Sequence, residues 1–264
     1  MRKIFMVCRV LSSLSIAVLM IGNCAGASKT HKENENQSVF FQSIRDCDIA
    51  EVKMLIRAGV DVNAQNNNGS TALMFASCEE CLEGAMLLIK KGAVIDKCDN
   101  KGHTALMYAS LQGSAEVVGL LIEKGACVNV QDKCGTSPII YAAYQGHVEV
   151  VKLLVEHGAE CEIQDNEGST ALMSASHQGH VDVAGILVEE GACVDVQDKD
   201  GNTALMWASC KGHVDVVKLL IEAGANVNAH NNEKETALTI AEEKHYNKIA
   251  DLLVEAGAKQ YAYI

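Results

Sequence analysis

Seven glycines stand at an unvarying interval in this chain. Gly59, Gly92, Gly125, Gly158, Gly191, Gly224 and Gly257 follow one another every 33 residues. A triplet built on Thr-Ala-Leu keeps the same step at Thr71, Thr104, Ser137, Thr170, Thr203 and Thr236. A period in this range, held without insertion, marks a repeat array. It constrains the fold strongly, because every unit must accept a copy of itself on each side.

The unit is clearest from Gly201 to Ala229. Thr203 precedes a short apolar run of Ala204, Leu205, Met206 and Ala208, so a polar cap opens a short helix. Gly212 ends it, since the residue after a helix often needs the left-handed backbone that glycine tolerates. A second helix follows from about residue 213 to 222. Its apolar residues Val214, Val217, Leu220 and Ile221 fall three and four apart, on one face. Gly224 closes it, and residues 226–232 are polar and turn-forming. A helix pair this small cannot bury its apolar flank alone and must stack on its copies.

The order Asp198-x-x-Gly201-x-Thr203, Gly212-His213-x-x-Val216-Val217-x-Leu219-Leu220 and Gly224-Ala225-x-Val227-Asn228 resembles the ankyrin repeat family, in a bacterial-type exported form, over about residues 36–264. The resemblance implies an all-α solenoid of stacked helix-turn-helix units with protruding turns or short hairpins. It also implies a protein-binding role. One departure is systematic. The family's Thr-Pro-Leu-His becomes Thr-Ala-Leu-Met, with Met74, Met107, Met173 and Met206 at the histidine site, Ile140 there once, and Pro138 the single proline. Apolar packing by a thioether is expected to replace the histidine's hydrogen bonds.

Outside the array, Arg2, Lys3 and Arg9 precede an apolar stretch from Val10 to Ile21, and Ala25-Gly26-Ala27 follows. A basic start, a short apolar centre and an A-x-A site predict a secretory leader over residues 1–27. The apolar stretch is too short for a permanent membrane span. Ile21-Gly22-Asn23-Cys24 resembles a degenerate lipobox, which keeps lipidation at Cys24 open as a secondary reading. Residues 28–37 are polar and read as a flexible tether, and residues 38–264 as the array of about seven units, atypical at both ends. Export to a periplasmic or extracellular location is expected, with action on host proteins as an alternative. The net charge of −12 argues against nucleic acid or anionic lipid as partner. A monomer is expected.

His147, His180 and His213 recur at the repeat step, but equivalent residues one helix-packing distance apart cannot share a zinc ion. A structural role is expected, with no metal and no cofactor. Nine cysteines follow residue 27, an odd number scattered along an array, and are read as free thiols. Cys78-x-x-Cys81, with Cys98 nearby, leaves a thiol redox or metal-handling protein as the rival from another class. Glu80 and Cys81 replace the Gly-His found in other units, so that turn is expected to be strained or rearranged. Asp99, Asp132, Asp165 and Asp198 are read as turn-holding residues. No nucleotide-binding loop, nucleophile elbow or metalloprotease helix occurs, so the chain is not expected to be an enzyme.

What remains is a recognition surface. The family's concave face, carried across by position, takes in the turn residues Asn100, His103, Lys133, Asn166, Lys199 and Asn202. From the first helices it takes Leu111, Gln112, Tyr144, Gln145, His177, Gln178 and Lys211. Tyr144 is the expected anchor. Phe75, Tyr108, Tyr141 and Trp207 are expected inside the helix pairs.

Overall fold

The computed structural model describes residues 31–259. The expected leader, with Cys24, lies outside them. Fourteen helices among the described residues form seven pairs. The inner helices are α1 (His31–Arg45), α3 (Ala72–Cys78), α5 (Ala105–Gln112), α7 (Pro138–Gln145), α9 (Ala171–Gln178), α11 (Ala204–Lys211) and α13 (Ala237–Glu243). Each is followed by an outer helix: α2 (Ile49–Arg57), α4 (Leu82–Lys90), α6 (Ala115–Glu123), α8 (Val148–Glu156), α10 (Val181–Glu189), α12 (Val214–Glu222) and α14 (Asn247–Glu255). No strand occurs among the described residues. The solenoid expected from the period is the architecture observed. The tether expected over residues 28–37 is in part helical, because α1 begins at His31 and carries the fully buried Phe40 and Ile44 into the first unit.

Local chemistry accounts for each inner helix. Thr71, Thr104, Thr170, Thr203 and Thr236 have extended backbone, and their hydroxyls accept the amide three residues on. Such a cap is worth about 1 kcal/mol. Ser137 makes no such bond, but Pro138 presets the first helical φ in that unit. The methionines do more than pack. Met74 Sδ and Met107 Sδ accept the amides of Thr71 and Thr104 at 3.3 and 3.4 Å. The sulfur therefore stands in for part of the missing histidine's bonding, which apolar packing alone does not describe.

The core is a set of columns along the array. Leu73, Leu106, Ile139, Leu172, Leu205 and Leu238 repeat on the inner helices, and Leu88, Leu121, Leu154, Leu187, Leu220 and Leu253 on the outer ones. All are at most 1% exposed. Burying each contributes about 1.5–3 kcal/mol. Ala76, Ala109, Ala142, Ala175, Ala208 and Ala241, also fully buried, keep the helices close. Each unit contacts its neighbours in sequence, so stability accumulates junction by junction.

The junctions carry a second device. His147 Nε2 donates to the Leu111 carbonyl, His180 to that of Tyr144 and His213 to that of His177, at 3.0–3.1 Å. Each imidazole also sits over a left-handed glycine of the preceding unit. A Cβ on Gly146 (φ +80°) would lie 2.6 Å from His180 Nδ1. Only glycine gives both the positive φ and the space. These histidines are locks between neighbours, the structural role expected of them.

Candidate partner-binding surface

The turn before each inner helix is built on one carboxylate or amide. Oδ1 of Asp99 accepts the amides of Lys101 and His103, and Asp132, Asp165 and Asp198 accept the equivalent pairs at 2.7–3.0 Å. Asn66 and Asn231 do the same in the outer units. Successive turns are then tied by backbone bonds, such as Lys133 N to Lys101 O (3.0 Å) and Lys199 N to Glu167 O (2.9 Å). The aspartates hold turns together, as expected.

The second carboxylate oxygen has its own partner, nine residues on. Tyr108 Oη donates to Asp99 Oδ2 (2.9 Å), Tyr141 Oη to Asp132 Oδ2 (2.6 Å) and Trp207 Nε1 to Asp198 Oδ2 (3.0 Å). Tyr108 and Tyr141 are buried, at 3% and 5% exposed, as expected of core residues, with their hydroxyls turned to the turns. Trp207, expected in the core, is only half-buried and meets the His177 ring edge-on at 5.2 Å. Phe75 is fully buried, with Arg45 over its face at 4.3 Å.

His103 is the strongest electrostatic feature. It is 5% exposed, with Nδ1 at 3.0 Å from Asp99 Oδ2 and Nε2 at 3.4 Å from Asp132 Oδ2. Burial would lower its pKa, but the two carboxylates outweigh that and raise it to about 9. Burial would likewise raise both aspartates, and the bonds from His103 hold them below the usual carboxylate range. An imidazolium bridging two carboxylates ties the third unit to the fourth. His103 is thus a structural ion, not an exposed recognition residue.

The other expected surface residues divide. Asn100, Lys133, Asn166 and Lys199 are exposed at the turn tips, and Asn202, Gln112, Gln145, Gln178, Lys211 and His177 are half-buried. Asn100 and Asn166 also donate to the preceding turn, at Asn67 O and Lys133 O. Tyr144 and Leu111 are 5% and 6% exposed, which removes both from the accessible surface. The next unit covers them, and burial pushes the Tyr144 phenol up. The sequence pattern counted them as exposed because a varying position in a repeat can vary behind a neighbour as well as in front of it.

The cysteines correct a second expectation. Cys47 and Cys81 form a disulfide, with Cα atoms 5.8 Å apart. The signal was present: 34 residues separate them, the same spacing as Gly113–His147 and Gly146–His180. Cys47 stands at the left-handed glycine position (φ +51°), and Cys81 is the helix cap where later units have histidine. The bond therefore replaces the Gly–His lock at the first junction. Glu80 is also left-handed (φ +55°), and Cys81 N bonds Ala76 O as His147 N bonds Ala142 O, so the irregular second turn keeps the backbone of its equivalents and is strained, with a side chain where they have glycine. The dithiol reading of Cys78 and Cys81 fails, because Cys81 is bonded to Cys47. Cys78 is buried and accepts from Gln112 Nε2 at 3.3 Å, and burial pushes its thiol up, away from the reactive thiolate. Cys98 is exposed. No group of three or more His, Cys, Asp or Glu among the described residues could hold a metal ion. No helix among them is long and apolar enough to cross a membrane.

The family model for ankyrin repeats matches three stretches, residues 40–132, 128–198 and 192–263. The chain belongs to the ankyrin repeat family. Its fold is similar to the crystal structure of the human ASB11 ankyrin repeat domain, with a TM-score of 0.77 and 28% sequence identity. That match covers 84% of this chain and 99% of that one. None of the curated proteins matches this chain. Ankyrin repeats are generally protein–protein interaction modules and typically non-catalytic scaffolds. Turn tips and inner-helix ends lie on one side of such an array, concave in this family, and that side is the candidate surface here.

Proposed function

We propose that the chain is a non-catalytic scaffold that holds a protein partner on the concave side of its ankyrin array, in an exported protein. One observation carries the binding reading. The reachable side chains next to the turn tips differ from unit to unit (Lys101, Cys134, Glu167 and Asp200), while the inner-helix ends carry Gln112, Gln145, Gln178 and Lys211 and the columns behind are nearly constant. A constant frame with a varying edge is what selective recognition of one partner calls for. Export is supported by the basic, apolar and A-x-A order of residues 1–27 and by the Cys47–Cys81 bond, which suits an oxidising compartment. The partner is a protein, and the array acts as a monomer.

Arginine placed at Gln145 and Gln178 tests the surface. Both positions sit at inner-helix ends and are only half-buried, so the thermal midpoint should hold. Capture of the native partner from the cell envelope should weaken by about tenfold or more, the effect of losing roughly 1.4 kcal/mol. Glu149→Arg with Lys152→Glu on the exposed outer helix α8 should leave capture unchanged. The reverse pattern would overturn the surface assignment. For export, the N-terminal residue of the protein recovered outside the cytoplasm should be Ser28; an intact Met1 on that fraction would contradict cleavage.

A further inference from the structure

The last residue of each inner helix, or the one just past it, belongs to a row along the array: Glu79, Gln112, Gln145, Gln178 and Lys211, at the 33-residue step. The row has a polarity. At one end stand Glu79 and its neighbour Glu80, both exposed, with the exposed Asp46 one unit earlier. At the other stands the half-buried Lys211, with Lys244 one unit later. Between them the amides of Gln112, Gln145 and Gln178 carry no charge. None of these charged side chains is in an ion pair among the described residues. Arg45, the nearest base in sequence to the acidic end, lies over the Phe75 ring. Glu242 and Glu243 take the positions of the buried Ser209 and half-buried Cys210, so they face the open end of the array.

The outer amides of the row lean back on the preceding unit. Gln112 Nε2 donates to Cys78 Sγ at 3.3 Å, and Gln178 bonds the Tyr144 hydroxyl, each reaching a residue 34 positions earlier. For Gln145 that residue is Leu111, whose side chain has no polar atom. The Gln145 amide has no hydrogen-bond partner among the described residues and is only half-buried. The centre of the row therefore offers an unpaired donor that a partner can reach. Successive members of the row lie one helix-packing distance apart, about 8–10 Å. Three residues of polyproline-II chain advance about 9 Å and present the same face again, with every carbonyl free of internal bonds. The turn tips, with Lys101, Lys133, Glu167, Lys199 and Asp200, lie the length of an inner helix away, about 12 Å for eight residues. Physiological salt screens charges beyond about 8 Å, so the row acts on a partner separately from the tips.

We propose that the row from Glu79 to Lys211 holds an extended segment of the protein partner, basic at the end over Glu79 and Glu80 and acidic at the end over Lys211. This placement rests on the scaffold reading and deepens it, by giving the partner a chemistry and a direction along the array. Roughly twelve residues of polyproline-II chain span the distance. Gln145 donates to a carbonyl at the middle of the segment, where the array itself provides no acceptor. The charges at the ends set the direction, since a segment laid the other way would put acid on acid and base on base. Their exposure keeps each ion pair weak, so the order of charges governs direction more than affinity.

The probe is a peptide with a lysine block, about eight prolines and a glutamate block, carrying a nitroxide at one end. The readout is paramagnetic broadening of the protein's backbone amide signals in NMR spectra. With the label on the lysine end, broadening is expected at Glu79 and Glu80 and not at Lys211; with the label on the glutamate end, the reverse. A combined variant, Glu79→Gln, Glu80→Gly and Lys211→Gln, has a precedent for folding, because Gln112, Gly113 and Gln178 hold those positions in central units. In it the peptide should still bind, about threefold more weakly, and either label should broaden both ends alike. Gln145→Ala should weaken binding by about fivefold and keep the direction. Broadening in the unaltered protein that ignores which end is labelled, or falls at the opposite ends, would overturn the placement. So would the absence of saturable binding, or full affinity in Gln145→Ala. That failure leaves the scaffold reading intact if partner capture still depends on Gln145 and Gln178; loss of that dependence is the separate failure of the scaffold itself.

Discussion

The first junction of the array and the central ones solve the same problem with different chemistry. Between the third and sixth units a histidine sits on the preceding unit's left-handed glycine and donates to a carbonyl of that unit. Between the first and second units the two positions are Cys47 and Cys81, joined covalently. Between the second and third they are Glu80 and Ser114, with neither device. At the far end Tyr246 takes the histidine's place over Gly212. A terminal unit has one neighbour, so it gains half the burial of a central one. A covalent clip belongs where packing is poorest. The second junction, with the left-handed Glu80, has neither the clip nor the lock.

The comparison can be broken most directly at the clip. Cys47→Ser should cost about 2–4 kcal/mol, the usual loss for a loop of this size, and the loss should be local. Hydrogen exchange should speed up in α1 and α2 while α8 to α12 stay protected. Uniform loss across the array would show the clip is not a terminal device. A central lock should be worth less. His180→Ala removes one bond to Tyr144 O and some packing over Gly146, for about 1–1.5 kcal/mol, read as the shift of a urea midpoint.

The second junction allows a test by gain. Glu80→Gly with Ser114→His installs the central arrangement between the second and third units. It should stabilise by about 1 kcal/mol, from relief of the left-handed side chain and one new bond. No gain in thermal midpoint would mean that spacing alone does not make the lock. A further test concerns pH. The pKa of His103 is raised from 6.5 to about 9 in the folded chain, so its contribution is complete below pH 6.5 and lost as pH rises through about 9. Asp99 and Asp132 are depressed, so theirs is present above the unfolded carboxylate range and lost on acidification. The thermal midpoint should fall between pH 6.5 and 9.5, and His103→Gln should flatten that fall.

Most of the fold was legible because a period is visible at every copy. Thr-Ala-Leu, the mid-unit glycine and the closing Gly-Ala each carry a backbone requirement that side-chain chemistry makes plain. The surface was less legible. Tyr144 and Leu111 vary among units like recognition residues, yet they are covered by the next unit, a fact about stacking that no single repeat contains. Trp207 reads as core by hydrophobicity, but its indole nitrogen is drawn to Asp198. The Cys47–Cys81 bond was hidden by the odd cysteine count and became clear only when its spacing was set beside the Gly–His pairs.

The central claim is that a protein partner sits against the turns and inner helices. Site-specific photo-crosslinking tests it most directly, with the probe at Gln145 on α7 or at Lys152 on the outer helix α8. A partner adduct should form from Gln145 and not from Lys152. Adducts from Lys152 alone would place the contact on the opposite side and contradict the account.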